Sequence, residues 1–527
     1  MHAIVAEIEG GDYQGAGKGS KDIKEILRKV GVDANTIRRA IIAVYEGEMN
    51  VAIHAYNGVL RAAITPDALE VIITDTGPGI PDIEQAMREG FSTAPPEARE
   101  LGFGAGMGLP NIRRNTDRFS LDSTPGKGTT LHFSVFLEPG VLERVNASAI
   151  TIKQEKCIKC LRCLNACPTQ AIRIRAEGPE ILRHLCIDCT VCMDVCPQGV
   201  FDMDCADDPP PAPGSGILIA PDALFGQFGP AIPRSAVREQ LQELGWHEHL
   251  YIQHAETALF QAASDFALNE KTAGLGFIPV CPAVLNLIQL RYPSLIPYVL
   301  PFLSPMESIR DRLLTGLAVF VPSCPAQSAL VRDCGILSPS TRLHPRNLAK
   351  SLLPRLQWSR TGTVSDDTVS EPPPCLIITG MRRVCQFLDK AERGLTEDCV
   401  LTALYACENG CYGSPVWETP PAVAMFRAKS GGGIIRDERL GPLYRIKPLV
   451  PRAGVRLDTD MVKAMKKLRE IDRSCKQLPG RDCGVCGAPT CMTLAEDAVM
   501  GRAVLDACIF RNNSPGHESG AAKETDR

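Results

Sequence analysis

Apolar residues in the first 140 positions follow two different periods along the chain. The apolar side chains of Lys21–Val30 share one helical face, and a longer helical pattern covers residues 35–56. Apolar residues alternate with polar ones in Leu69–Thr74 and again in Leu131–Val135, as they do in strands that are buried on one face. The pattern predicts two helices followed by strands that are buried on one face.

Beyond residue 216, short apolar runs alternate with helical patterns. Ile217–Ile219, Ala318–Val321 and Leu376–Thr379 are short runs of apolar or β-branched residues, which is typical of strands buried on both faces. A helical pattern over Arg234–Leu244 follows the first of them. We therefore predict a mixed or parallel α/β core here, and a loose loop in the polar residues Thr361–Pro374.

The most apolar stretch, Phe277–Leu303, is interrupted by Arg291 and by five prolines. A membrane-spanning helix would have to neutralise that arginine and find new partners for the backbone groups that the prolines release. We expect this stretch to be buried core.

Composition and charge narrow the class of protein. A length of 527 residues suggests three or four domains. A net charge of -4 without a basic block gives no reason to expect nucleic acid as a partner. The 22 cysteines fall in metal-ligand spacings, and Glu7, Glu9 and Asp12 stand where a signal peptide would have a cationic flank. We expect a protein of the reducing cytoplasm.

Residues Cys157–Pro197 contain two copies of the pattern C-x2-C-x2-C-x3-C-P. This is the spacing of bacterial ferredoxins, in which three thiolates of one run and the fourth of the other hold each cubane. The chain resembles two-cluster ferredoxins here. The alternatives are a zinc ribbon or a disulfide framework, but neither requires the Cys-Pro ending. The rule assigns Cys157, Cys160, Cys163 and Cys196 to one [4Fe-4S] cluster, and Cys167, Cys186, Cys189 and Cys192 to the other. Such a pair would conduct electrons.

Polar residues of the first domain form two motifs that could bind a metal ion or a nucleotide. Glu46 and Asn50 share one helix face, so that the amide could bind Mg2+ while the carboxylate activates a nearby water or hydroxyl. Alone, this spacing mostly marks a solvated helix face. Asp75 then opens a tight turn that contains Gly77 and Gly79, where a carboxylate could accept a hydrogen bond from an adenine amino group.

Glycine-rich segments follow in the same domain. Gly104, Gly106 and Gly108 precede a helical segment at Pro110–Asp117, and backbone N–H groups at a helix start can bind phosphate oxygens. Gly126–Thr130 then leads into a strand. One such motif is weak evidence, but four motifs in this order strongly indicate a nucleotide site.

Residues 5–138 resemble the GHKL ATPases, and among them the anti-sigma-factor serine kinases. The resemblance implies that Asn50 binds Mg2+, that Glu46 is the catalytic base and that Asp75 recognises adenine. It makes Gly77, Gly79, Gly104, Gly106 and Gly108 the phosphate and lid glycines and places Thr129 near the nucleotide. Only His2 precedes these motifs, so we do not expect self-phosphorylation on histidine; the resemblance also allows a homodimer.

Three cysteine-bearing segments after Ala220 resemble the catalytic domain of [FeFe]-hydrogenases. Val280, Gln327, Ala403 and Tyr405 replace residues that in this family transfer protons or contact the diiron unit. The family's cluster-ligand positions are retained as Cys281, Cys324, Cys407 and Cys411. We expect a [4Fe-4S] cluster and no hydrogen evolution, as in the hydrogenase-like proteins of cytosolic iron-sulfur assembly. The alternative is that these are buried structural cysteines.

The C-terminal segment has the cysteine spacing C-x2-C-x4-C-x16-C. It resembles the cluster module of corrinoid iron-sulfur proteins and of the B subunit of ion-translocating ferredoxin oxidoreductases. The resemblance makes Cys483, Cys486, Cys491 and Cys508 the ligands, with Cys475 as an alternative to Cys508. Six cysteines remain without an assigned role: Cys205, Cys334, Cys375, Cys385, Cys399 and Cys475. Cys475 would leave this group if it replaced Cys508 as the fourth ligand.

The predicted fold class is multidomain α/β and α+β. It combines a GHKL α/β sandwich, a ferredoxin-like domain, a hydrogenase-like α/β domain and a small helical iron-sulfur module. The predicted boundaries are 1–140 for the ATP-binding domain, 148–205 for the ferredoxin, 206–216 for a Pro-rich linker, 217–455 for the hydrogenase-like domain, 456–512 for the C-terminal module and 513–527 for a disordered tail.

Three functions are compatible with this combination. In the first, cluster redox state controls the ATPase, which phosphorylates or sequesters a regulatory protein. In the second, ATP drives low-potential electrons through the clusters to a redox partner, such as a ferredoxin or a hydrogenase or reductase subunit. In the third, the chain is a subunit or assembly scaffold with a vestigial ATPase, against which the intact Glu46, Asn50 and Asp75 count.

Overall fold

The computed structural model forms two compact units, Met1–Val141 with Val455–Arg527, and Leu142–Gly454. The residues that the structure describes are 2–13, 15–96, 98, 104, 106–137, 148–205, 217–229, 232–269, 275–312, 318–332, 342–356, 375–396, 401–430, 444–452, 454 and 456–511. The predicted linker, the loop at Thr361–Pro374, the C-terminal tail, Cys334 and Cys399 lie outside them.

The first unit contains a five-stranded antiparallel sheet in the order β1-β2-β3-β5-β4. Its strands are β1 His2–Glu9, β2 Asn57–Ile64, β3 Ala68–Asp75, β4 Arg118–Thr124 and β5 Gly128–Phe136. Val71 pairs with Ala62 on one side and with Phe133 on the other, and all three side chains are buried. Val5, Ile72 and Phe136 are exposed. The alternating pattern therefore directs one face of the sheet into the core.

Helices α1 Lys18–Val30 and α2 Ala34–His54 pack on the buried face of this sheet. The short helix α3 Ile83–Ala86 has no buried residue, and α4 Gly108–Asn115 packs against α2. Gly31 ends α1 in a left-handed conformation with φ 83°, and its N–H group bonds to the carbonyl groups of Leu27 and Arg28. Asp33 begins α2 by accepting hydrogen bonds from two backbone N–H groups. The two caps turn the chain within three residues, so that α1 and α2 pack side by side.

The second unit begins with a small ferredoxin-like part. It contains strands β6 Ile150–Ile152, β7 Ile172–Arg175, β8 Gly178–Ile181 and β9 Phe201–Met203, and helices α5 Arg162–Ala166 and α6 Val191–Val195. Each helix follows a residue in the left-handed conformation, Leu161 at φ 63° and Thr190 at φ 67°. The two cysteine runs thus have matching backbone conformations.

Two three-stranded parallel sheets form the rest of this unit, in the orders β11-β10-β13 and β12-β15-β14. The strands are β10 Ile217–Ala220, β11 Glu248–Tyr251, β12 Gly276–Ile278, β13 Ala318–Phe320, β14 Leu376–Thr379 and β15 Leu401–Tyr405. The helices are α7 Arg234–Glu243, α8 Ile252–Asn269, α9 Pro282–Arg291, α10 Pro305–Arg312, α11 Pro325–Arg332, α12 Pro345–Leu356, α13 Met381–Glu392 and α14 Pro421–Ser430.

The apolar stretch at residues 277–303 is core, as its prolines and arginine indicated. It runs from β12 through α9 into a 3-10 helix at Pro293–Tyr298, and Leu287, Ile288 and Leu295 are buried. Among the described residues, no helix is both long and apolar enough to cross a membrane.

The C-terminal segment belongs to the first unit, although more than 300 residues separate it from the ATP-binding domain. Its helices are α15 Met461–Cys475 and α16 Cys491–Val499. Helix α15 packs against both α1 and α16. Apolar residues of this segment form one buried cluster with Leu27, Val30 and the sheet; they include Leu457, Ala464, Met465, Leu468, Ile471, Leu494 and Ala495. The sequence predicts a separate module here, whereas the structure shows a hydrophobic core that it shares with the ATP-binding domain.

Candidate nucleotide and iron-sulfur sites

Glu46 and Asn50 lie one turn apart on α2 and face the start of α4. A Cβ atom built on Gly108 would lie 2.9 Å from Asn50 Oδ1 and 3.4 Å from Glu46 Oε2. Asn111 Nδ2 donates a hydrogen bond to Glu46 Oε1 at 2.8 Å. Asn50 Nδ2 is buried and has no hydrogen-bond partner in the part of the chain that the structure describes. The geometry leaves a polar amide facing a glycine where a ligand could approach.

Asp75 organises the second half of the predicted nucleotide site. Its Oδ1 accepts hydrogen bonds from the backbone N–H groups of Gly77 at 2.8 Å and Thr129 at 3.1 Å. Gly128 has φ 100°, and a Cβ atom there would lie 2.2 Å from the carbonyl oxygen of Asp75. Gly79 has φ 72° and similarly approaches the carbonyl oxygen of Thr124. The structure thus brings Asp75, Gly77 and Thr129 together.

The described residues of the predicted glycine-rich lid include Gly104, Gly106 and Gly108. Gly104 and Gly106 have φ values of 83° and 75°, and the carbonyl oxygen of Gly106 accepts a hydrogen bond from the N–H group of Gly90. Residues 101–103 and 105 lie outside the described residues. Gly104 and Gly106 therefore have left-handed conformations that L side chains rarely adopt.

Two residues of this region were not predicted from the sequence. Asn111 lies three residues after Gly108, and this helical spacing is the signal that could have identified it as a partner for Glu46. Glu48 is 1% exposed and accepts hydrogen bonds from the N–H groups of Gly19 at 2.8 Å and Ser20 at 3.0 Å. Burial raises the pKa of Glu48 despite these bonds. Glu48 therefore fixes the first turn of α1 to α2, between Glu46 and Asn50.

Substituting Gly108 by alanine is expected to weaken ATP binding on the order of tenfold, since overpacking typically costs about 1–3 kcal/mol. The new methyl group would displace Asn50 and narrow the space next to Glu46. Gly229→Ala is the matched control, because a Cβ atom there meets nothing within 4 Å and neither glycine has a positive φ. Calorimetric titration with an ATP analogue measures both; equal affinities for the two variants would show that Gly108 does not border the nucleotide.

The first predicted cluster site is a cavity of about 340 Å³. Its lining includes the thiols of Cys157, Cys160, Cys163 and Cys196. Backbone N–H groups lie 3.4 Å from Cys157 Sγ and 3.5 Å from Cys196 Sγ. Burial raises the pKa of the Cys163 thiol to about 11, with further contributions from Cys196, Cys160 and Cys157. The fourth cysteine of one run thus meets the first three of the other.

The second ferredoxin-type set is more deeply buried. Burial, and then the charges of Cys167, Cys192 and Cys186, raise the pKa of the Cys189 thiol well above its usual value. Backbone N–H groups lie 3.3 Å from Cys167 Sγ and 3.5 Å from Cys186 Sγ. The same cross-pairing as in the first set brings these thiols together.

The hydrogenase-like part contains a second cavity, of about 390 Å³ and partly open to solvent. Its lining includes Cys281, Cys324, Cys407 and Cys411, together with three residues that depart from the hydrogenase pattern, Val280, Gln327 and Tyr405. Gln327 Nε2 lies 3.8 Å from Cys411 Sγ, and the hydroxyl group of Tyr405 donates a hydrogen bond to Glu256. Ala403 is buried within β15.

Another cavity, of about 310 Å³, lies in the C-terminal segment. Its lining includes Cys483, Cys486, Cys491 and Cys508. Asp482 Oδ1 accepts a hydrogen bond from the N–H group of Cys491 at 2.6 Å, and Asp482 itself has φ 47°. Cys475, which the structure also describes, is not among the residues that line this cavity.

Each of these cysteine sets offers four thiol groups, which is the ligand set of a [4Fe-4S] cluster. Thiolates are the ligands of such clusters, and backbone N–H groups next to sulfur are among the contacts that set cluster potentials. Burial raises the pKa of the Cys407 thiol to about 12, so the free thiol is protonated at neutral pH and binding iron would release its proton.

Comparison with known proteins places the first domain. Residues 33–139 match the model of the histidine kinase-, DNA gyrase B- and HSP90-like ATPases. The chain is 33% identical over 112 residues to the serine/threonine-protein kinase RsbT of Bacillus subtilis (strain 168), covering 78% of that kinase and 20% of this chain. The chain belongs to this ATPase family. The anti-sigma F factor of Caldanaerobacter subterraneus subsp. tengcongensis is 35% identical to this chain over 100 residues, which are 66% of the factor and 18% of the chain.

Two further family models match this chain outside its nucleotide-binding domain. Residues 150–203 match a 4Fe-4S dicluster domain, and residues 478–510 match a domain described as a putative Fe-S cluster. The second match includes Cys483 and Cys508 but not Cys475. The chain is therefore an ATP-binding iron-sulfur protein.

Solved structures also resemble parts of this chain. An [FeFe]-hydrogenase, HydA1 of Chlamydomonas reinhardtii, aligns with a TM-score of 0.33 and 14% identity, over 48% of this chain and 90% of the hydrogenase. The mycobacterial sensor histidine kinase MprB aligns with a TM-score of 0.16 and 24% identity, over 19% of this chain and 72% of the kinase. TM-scores of this size carry no conclusion about activity.

Proposed function

We propose that this protein is a redox-responsive ATPase of the anti-sigma kinase type, in which the state of an iron-sulfur cluster changes how the ATP site binds or turns over nucleotide. The cluster concerned is the one that Cys483, Cys486, Cys491 and Cys508 would hold. Asn50 would bind the Mg2+ ion of the nucleotide, with Glu46 as the base. The regulated output would be phosphorylation or sequestration of a regulatory protein.

The observation that carries this proposal is the hydrophobic core that the C-terminal segment shares with the ATPase domain. Lys29, near the end of α1, forms ion pairs with Glu496 of α16 at 3.1 Å and with Glu25 at 3.0 Å. Burial alone would lower the pKa of Lys29, but the two carboxylates outweigh it and raise the pKa. A change of charge or shape around the cluster would therefore act on α1 through packed, partly buried contacts.

Helix α1 supports the proposal because its two ends contact the elements that carry the two sites, α16 at one end and α2 at the other. Its C-terminal end meets the cysteine-bearing segment through Lys29, and its N-terminal end is held by Glu48 of α2. Glu48 lies two residues from Glu46 and two from Asn50. A small displacement of α1 would thus reach the residues on which nucleotide binding depends. Coupling of this kind must be reciprocal, so ATP would also shift the potential of the cluster.

The test compares ATP affinity in oxidised and in reduced protein, purified without oxygen. Typical coupling energies predict a change of about 5- to 150-fold between the two states. Cys486→Ala should abolish the change, whereas Cys163→Ala, which removes a ligand from a ferredoxin-type set, should retain it. An affinity that is the same in both redox states of the unmodified protein would refute the coupling.

The protein target is tested separately with labelled ATP. Transfer of the γ-phosphate to a serine hydroxyl of a regulatory protein, such as an anti-sigma-factor antagonist, would support the kinase output; the serine oxygen forms the new P–O bond and ADP leaves. Binding without transfer would support sequestration. A homodimer, which the resemblance to the anti-sigma-factor kinases implies, and a cytoplasmic location, which the cysteine spacings indicate, are part of this proposal.

A second candidate is an ATP-dependent electron-transfer protein. The observation that favours it is the contact between two predicted cluster sites in the second unit, where Thr190, next to Cys189, lies against Cys407. A sensor needs one cluster, whereas a row of them suits electron transfer to a redox partner such as a ferredoxin or a reductase subunit. ATP turnover that rises only when a low-potential donor and an acceptor are both present would favour this function over the first.

A further inference from the structure

Among the positions at which the two ferredoxin repeats differ, one exchanges an apolar side chain for a hydroxyl group. Leu161 and Thr190 occupy equivalent places, each preceding a five-residue helix with φ 63° and 67°. A positive φ is unfavourable for a β-branched residue such as threonine. A threonine before a helix normally bonds to the helix N-terminus through its hydroxyl group, yet Thr190 makes no such bond. The hydroxyl group of Thr190 is therefore directed elsewhere.

That hydroxyl group contacts a predicted ligand of a different cluster. Thr190 is 3% exposed, and its Oγ1 atom lies 3.6 Å from the Sγ atom of Cys407. Thr190 and Cys189 line the same cavity as Cys281, Cys324, Cys407 and Cys411. One residue thus joins Cys189, of the second ferredoxin-type set, to Cys407 of the hydrogenase-like set.

We propose that Thr190 is a positioning residue that sets the reduction potential of the cluster held by Cys407 and links it to the ferredoxin part. A cluster-bound thiolate has no proton, so the threonine O–H group must be the donor. A hydrogen bond to a ligand sulfur favours the reduced, more negative form and so raises the potential. In an electron transfer between the two clusters, the ferredoxin-type cluster would lose one electron and the Cys407 cluster would gain it. Thr190 would keep its proton throughout. The proposal rests on the predicted third cluster and is independent of the ATP coupling.

The experiment is a redox titration of the full-length holoprotein followed by electron paramagnetic resonance and iron analysis. Cys281→Ala, which should remove about four irons, assigns the signal of the third cluster. Thr190→Val keeps the shape and removes the hydroxyl group, and it should shift the third midpoint potential to a more negative value with full iron content. Thr190→Ser, which keeps the hydroxyl group, should retain the original potential.

The chain offers a matched control in Thr169, whose Oγ1 atom lies 3.7 Å from Cys167 Sγ. Thr169→Val should shift the potential of the second ferredoxin-type cluster and leave the third unchanged. The proposal is overturned if Thr190→Val leaves the third potential in place, if Thr190→Ser shifts it equally, or if Thr190→Val loses iron, which would make the residue structural. Full iron content in Cys281→Ala would overturn both this proposal and the third cluster, while leaving the ATPase coupling intact.

Discussion

Substituting Glu46 by glutamine is expected to lower the rate of ATP turnover about 10²- to 10⁴-fold, the usual contribution of a general base. The glutamine side chain keeps the size of the original, and its amide oxygen can still accept the hydrogen bond from Asn111 Nδ2. What it loses is the capacity to take a proton from the attacking water or hydroxyl group. Nucleotide affinity should therefore stay within a few fold of the original, while the turnover number falls.

The measurement separates binding from turnover. Titration with a non-hydrolysable analogue gives the affinity, and release of phosphate gives the rate. Glu70→Gln is the control, since Glu70 lies on β3 and bonds to Ser134 on the neighbouring strand. Its turnover should match that of the unmodified protein. An unchanged rate in Glu46→Gln would remove Glu46 from the role of base, and parallel loss of affinity would mean that it acts in binding.

Substituting Ile471 by alanine is expected to destabilise the ATP-binding domain, although the residue lies in the C-terminal segment. Ile471 is fully buried in the core shared with α1 and the sheet. Truncation of a buried isoleucine to alanine typically costs about 2–5 kcal/mol. Amide hydrogen exchange in Lys18–Val30 should then accelerate about 30-fold or more, because each 1.4 kcal/mol corresponds to a factor of ten.

Val462→Ala is the matched control, because Val462 lies on the same helix and is 61% exposed. Its effect should stay within about 0.5 kcal/mol, as for most surface substitutions. Faster exchange in α15 alone, with α1 unaffected, would show that the segment folds independently of the ATPase domain. That result would also remove the physical basis for coupling the C-terminal cluster to nucleotide.

The helices and strands that local patterns predicted are present in the structure, because each of these signals lies within a few residues. Leu376–Thr379 is a strand at the predicted bounds, and helix α1 begins at Lys18 where the pattern suggested Lys21. The cross-pairing of the two ferredoxin-type cysteine runs was also predictable, since these cysteines are closely spaced and a Cys-Pro pair ends each run. Glu48 was not, because its buried carboxylate acts on backbone groups 28 and 29 residues away along the chain.

The sequence by itself determined the chemistry of this protein: the thiols, the carboxylates and the glycines stand in short motifs whose spacing limits what they can bind. Only the tertiary structure decided which of these motifs act on one another. It joined α15 and α16 to α1 through a common apolar core, and it placed Thr190 against Cys407. Apolar burial is non-directional and takes no account of separation along the chain, so a segment more than 300 residues away can share the core of a nucleotide-binding domain.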